Sequence, residues 1–152
     1  MPKFSSRSLA KIQTCDLKIQ AVFMVVINHF DCTPIYGGRS PEKQMSLYKK
    51  GRELVNDRWI IKDKRKIVTY KDGIIRKSKH NYTPSQAIDI VPYYGISPHI
   101  RWRDTDRMRY FAGYVMLVAK MLGVPLVWGG DWDSDTEVRD QTFMDLAHYE
   151  LA

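Results

Sequence analysis

The sequence predicts an α+β fold, with a small, mostly antiparallel sheet packed against helices. Three observations predict it. The chain has 152 residues, the length of a single domain spanning 1–152. Helical patterning comes first, and strand-like runs gather later without the regular alternation of a parallel α/β sheet. A composition of 44% hydrophobic and 12% aromatic residues supplies a core and excludes a disordered chain.

Each element has its own signal. Between residues 17 and 30, Leu17, Val22, Val25, Val26 and Phe30 recur at helical spacing. Gly37 and Gly38 then break the chain. Ser40, Pro41 and Glu42 supply the N-cap, first-turn proline and first-turn acid of a second helix, which Gly51 closes. The β-rich runs 66–70 and 74–75 flank Asp72-Gly73 and predict a hairpin. Residues 87–91 read as a buried strand stopped by Pro92. Asp104 caps the longest helix, 104–122, and Gly123 ends it. A strand at 124–128, a polar acidic loop at 129–141 and a short strand at 147–151 complete the chain.

The charge is 24 Lys+Arg against 17 Asp+Glu, net +7, with a pI near 9.4. Such a surface suits a polyanion: nucleic acid, a membrane face or an acidic wall polymer. No nucleic-acid-binding motif accompanies the charge, so no nucleic-acid partner is expected. The longest apolar run, 21–27, is far shorter than the roughly 20 residues a membrane helix needs. The basic N-terminus lacks an apolar segment behind it, so no secretory signal is expected and synthesis is placed in a cytoplasm. Cys15 and Cys32 are too few for a disulfide scaffold and lack metal-type spacing, which predicts two reduced, buried thiols.

Of four histidines, His29 reads as structural, on an apolar helix, and His99 as a surface residue. His80 and His148 stand in richer surroundings. Asp89 lies inside an apolar strand, where a carboxylate needs a partner or a cation, and His80 precedes that strand. His148 and Glu150 share one face of a strand. Two imidazoles and one carboxylate make a catalytic zinc set that leaves one tetrahedral position open, and Asp145 is spaced to act as a base. A hydrogen-bonded core histidine and a salt-bridged aspartate fit the same spacing.

Ser78-x-His80…Ala87-x-Asp89 with Asp145-x-x-His148-x-Glu150 resembles the zinc peptidases that cleave at D-amino acids in peptidoglycan. That group includes D-Ala-D-Ala carboxypeptidases and dipeptidases and the phage L-alanyl-D-glutamate endopeptidases. Tyr36-Gly37-Gly38-Arg39-Ser40-x-x-x-Gln44 is similar to the element found before the first ligand in that family. The run from Ser78 to Asp89 followed by Pro92-Tyr93, together with Trp128-Gly129-Gly130-Asp131-Trp132, is closest to the endolysin branch. One spacing departs: Asp89 follows His80 by nine residues, where seven with an intervening Gly is commoner.

The resemblance implies His80, Asp89 and His148 as Zn2+ ligands, Asp145 as catalytic base and Arg39 as the group that steadies a substrate oxygen or carboxylate. It implies supporting roles for Ser78, Gln44 and Glu150. The function implied is a phage endolysin cutting the L-alanyl-D-glutamate bond, working as a monomer on peptidoglycan. It would reach the periplasm with the help of a holin after synthesis in the host cytoplasm. The alternatives are a D,D-carboxypeptidase or dipeptidase and a non-catalytic wall-binding module with structural zinc. Asp131, Asp133 and Asp135 alternate as in Ca2+ loops, yet Thr136 and Thr142 replace the expected Gly and Glu. A solvated acidic loop is the leading reading there, with calcium the alternative.

Overall fold

The computed structural model describes residues 1–152. Its elements are α1 (Ser6–Ile12), α2 (Leu17–Val26), β1 (Cys32–Tyr36), α3 (Pro41–Tyr48), β2 (Arg52–Val55), β3 (Arg58–Ile61), β4 (Ala87–Pro92), α4 (Thr105–Met121), β5 (Leu126–Trp128) and β6 (His148–Leu151). The main sheet has the order β1-β4-β6-β5, and every neighbouring pair is antiparallel. This is the α+β class that the patterning predicts.

Period-2 alternation divides the sheet into two faces. Ile88 and Ile90 of β4 and Tyr149 and Leu151 of β6 enter a 19-residue hydrophobic cluster with α2 and α4. Phe23, Phe111 and Tyr149 meet edge-on at its centre, and burying each such side chain contributes about 1.5–3 kcal/mol. The intervening residues Asp89, His148 and Glu150 therefore point away from the helices, on the face that carries the site.

The caps of α3 and α4 behave as their residue types dictate. Ser40 accepts the Lys43 N–H, and Asp104 accepts the Arg107 N–H. Cys15 and Cys32 are free and buried, and burial pushes the Cys15 thiol up to about 11.

Several local expectations are corrected. The α2 helix stops at Val26 and buries Ile19, Val22, Phe23 and Val26, leaving Leu17 77% exposed and Val25 at the surface. The buried stripe follows the i, i+3, i+4, i+7 rule from Ile19 rather than from Leu17. His29 lies beyond the helix end and is exposed rather than packed. Helix α1 and strand β1 carried no sequence expectation. Pro34 reads locally as a breaker, yet β1 is a sheet edge, where proline is tolerated.

The hairpin forms at β2–β3, not around Asp72-Gly73. Asn56 and Asp57 both take positive φ (50° and 61°), as a two-residue hairpin turn requires. At the predicted place, Asp72 Oδ1 accepts the N–H groups of Ile74, Ile75 and Arg76 at 2.9–3.0 Å. Those are donors that a ladder would need, so residues 66–75 remain unpaired. Pro92 is the last residue of β4 rather than a stop before it.

Candidate metal centre and active site

Three separate elements bring the ligand-type residues together. Asp89 at the middle of β4 pairs in register with His148 at the start of β6. His80 arrives on a short 3-10 turn, Lys79–Asn81, capped reciprocally by Ser78 and Asn81. Ser78 is buried and its Oγ accepts the His80 N–H. The nine-residue step from His80 to Asp89 is accommodated because the connecting loop pairs with the α1–α2 turn. Ser85 N–H donates to Thr14 O, and Asp16 N–H donates to Ser85 O.

The three ligand atoms converge. His80 Nε2 lies 3.2 Å from Asp89 Oδ1 and 3.3 Å from His148 Nδ1, and His148 Nδ1 lies 3.0 Å from the same Oδ1. The edge of a tetrahedron with zinc-type bonds is about 3.3 Å. His80 Nδ1 lies 2.7 Å from Gly37 O, and a carbonyl only accepts, so Nδ1 carries the proton. His148 Nε2–H likewise donates to Glu150 Oε2 at 2.9 Å. When the rings are neutral, both facing nitrogens carry lone pairs beside a carboxylate oxygen, a donor set that fits a cation and in particular zinc.

Burial works against the charge of Asp89, but its bonds to His148 and His80 outweigh that and hold its carboxyl far below the usual range. Burial likewise opposes a charge on His148, yet its bonds to Asp89 and Glu150 win and raise it to about 9. A bound cation competes with that proton. Burial pushes the Glu150 carboxyl up, but its hydrogen bond with His148 and the charges of His148, Lys79 and Lys71 together lower it, so it stays an acceptor.

Arg39 is clamped beside Asp89 and His80. Its Nη1 donates to Gln44 Oε1 at 2.9 Å and its Nη2 lies 3.4 Å from Asp89 Oδ2. Its own backbone bonds to His80 O and to the Asn81 side chain. Its Nε–H is buried without an acceptor. Gln44 is fully buried and donates onward to Lys71 O and Thr69 Oγ1.

Asp145 is delivered by backbone contacts. Its N–H donates to Gly129 O at 2.7 Å, and its carbonyl accepts from His148 N–H. A Cβ on Gly129 would sit 2.2 Å from Asp145 O, so only glycine permits this approach. Burial, reinforced by the charge of Asp89, raises the Asp145 carboxyl above its ordinary value. Asp145 lines one cavity of about 190 Å³ with Arg39, His80, Asp89 and His148.

Four further residues line that cavity without having been singled out as site residues: Thr69, Lys71, Trp132 and Phe143. Trp132 stacks on Phe143 and packs beside His148. Its place in the Trp128–Trp132 motif was the available signal; the other three carry none locally. The Asp131, Asp133 and Asp135 carboxylates form a second group with ligand atoms within 4.8 Å of one another. Asp131 accepts the N–H groups of Asp135 and Thr136, Asp135 that of Glu137, and Asp133 the Gln141 amide.

Comparisons with known proteins bear on the fold and the family. The crystal structure of the Serratia marcescens L-Ala D-Glu endopeptidase ChiX shares the fold with a TM-score of 0.66, at 17% identity, covering 98% of this chain and 89% of that one. No curated protein matches the sequence. A family model described as phage L-alanyl-D-glutamate peptidase matches residues 1–152. The chain belongs to that family of peptidoglycan-cleaving peptidases.

Proposed function

We propose that the protein is a zinc endopeptidase of 1–152 that cuts the L-alanyl-D-glutamate bond of peptidoglycan stems as a phage endolysin. The observation that carries the metal assignment is the convergence of two imidazole nitrogens and one carboxylate oxygen at 3.0–3.3 Å. His80, Asp89 and His148 would hold the ion, and zinc supplies Lewis-acid chemistry there when bound. Glu150 fixes the His148 tautomer, and Gly37 O fixes that of His80.

Asp145 takes a proton from the attacking water at a carboxylate oxygen and returns it to the departing D-glutamyl amine. Its raised pKa suits both halves of that exchange. Arg39, held in place by Gln44 and Asp89, offers spare N–H capacity to the substrate's carbonyl or carboxylate oxygen. Ser78 holds the turn that presents His80.

In this reading the enzyme works as a monomer, is made in the host cytoplasm and reaches the periplasm through a holin. No helix is long and apolar enough to cross a membrane. Asp131, Asp133 and Asp135 serve first as a self-bonded turn, with calcium as the second reading because their oxygens cluster. Mass spectrometry of digested sacculi tests the activity. New N-terminal D-glutamyl peptides, with L-Ala left on the glycan, are expected; release of D-Ala alone would mark a carboxypeptidase instead.

A further inference from the structure

The net charge is not spread over the chain. Residues 49–79 hold twelve Lys or Arg against four Asp or Glu, net +8, while the remainder holds twelve against thirteen, net −1. Within that segment only Lys62, Arg65 and Lys66 pair with a carboxylate. The same segment exposes large apolar side chains, among them Leu54, Ile60, Val68 and Tyr70. The extreme case is the loop after Tyr70, where Ile74 is 64% and Ile75 87% exposed. Lys71, Arg76 and Lys77 flank the two isoleucines.

This exposure is built in rather than a product of fraying. Gly73 is buried against Gln44 with φ +84°, and a Cβ there would lie 2.7 Å from the Gln44 Cβ. Gly73 N–H donates to Arg76 O at 3.0 Å, and Asp72 Oδ1 gathers the next three N–H groups. Gln44 also grips the carbonyl of Lys71. The loop is therefore held at both ends, and its held conformation turns two adjacent isoleucines to solvent.

We propose that this Lys71–Lys77 loop docks on an anionic lipid surface, with Ile74 and Ile75 entering the interface and Arg76 and Lys77 meeting the headgroups. A wholly polar anionic polymer would satisfy the cations and leave the isoleucines in water. An apolar protein face would do the reverse. Anionic phospholipid offers both chemistries within a few ångströms. Thr69 and Lys71 also line the catalytic cavity, so docking here sets the cavity mouth beside the membrane. The inference does not depend on which peptide bond is cut.

Co-sedimentation of the full-length, zinc-loaded protein with vesicles tests it. Binding to mixed phosphatidylglycerol–phosphatidylcholine vesicles, and not to phosphatidylcholine alone, is expected. Ile74→Ser with Ile75→Ser lowers that partition about tenfold or more, and Arg76→Gln with Lys77→Gln likewise lowers it about tenfold or more. Both variants keep the wild-type circular dichroism spectrum and melting temperature, since these side chains are exposed. Absence of binding to the anionic vesicles, equal binding to neutral ones, or wild-type partition by the isoleucine variant overturns the proposal. Retained vesicle binding with lost binding to purified sacculi also overturns it and assigns the loop to the wall polymer.

Discussion

Two groups of side chains in this molecule place three ligand-type atoms close together, and they differ in what their lone pairs are doing. At His80, Asp89 and His148, one N–H of each ring is engaged elsewhere, by Gly37 O and Glu150, so in the neutral rings the facing nitrogens carry lone pairs. At Asp131, Asp133 and Asp135, the carboxylate oxygens already accept backbone and amide N–H groups of their own turn. The first group is half-buried to buried, on two sheet strands and the 3-10 turn beside them; the second is largely exposed on a loop. Proximity of acids and histidines is thus a weak sign of a cation site. Free lone pairs whose other atoms are anchored are a strong one.

Four variants sharpen this contrast, in falling order of effect. His80→Ala removes one of the three donors, so both bound zinc and hydrolysis should fall to background; elemental analysis alongside a turnover assay reads both. A variant retaining one zinc per chain would contradict the ligand assignment. Asp145→Asn should keep zinc but lose turnover by about 10²–10⁴-fold, because the amide cannot accept a proton. Near-wild-type kcat with normal metal content would remove Asp145 from the role of base.

Glu150→Gln acts one step further out. It weakens the hold on the His148 tautomer, and zinc affinity should drop by about 10–100-fold in a competition titration with a chelator. Unchanged affinity would mean that Glu150 only balances charge. The smallest effect belongs to the acidic turn. Asp133→Ala with Asp135→Ala should leave zinc content unaltered and activity within about twofold, with a melting temperature lowered by a few degrees. A calcium-dependent rise in wild-type activity that this double variant abolishes would instead make the turn a cation site.

Much of the site was legible in the sequence because its chemistry sits in short motifs. An aspartate in an apolar strand and a histidine alternating with core residues announce themselves through period 2. The boundaries of α3 and α4 follow from Ser40, Pro41 and Asp104, whose side chains cap their own neighbours. These are local effects, so a local pattern suffices.

What only the tertiary structure decided are the partners at long range. Gly37 O, 43 residues from His80, selects the ring nitrogen that faces Asp89 and His148. Arg39 reaches Asp89 across 50 residues, and Gln44 ties it to Thr69 and Lys71. The edge position of β1 makes Pro34 tolerable, and the capture of three N–H groups by Asp72 dissolves a hairpin that Asp-Gly promised. Residue types near in sequence determine which groups are available for chemistry. Hydrogen-bond competition among groups distant in sequence determines which of them remain free to perform it.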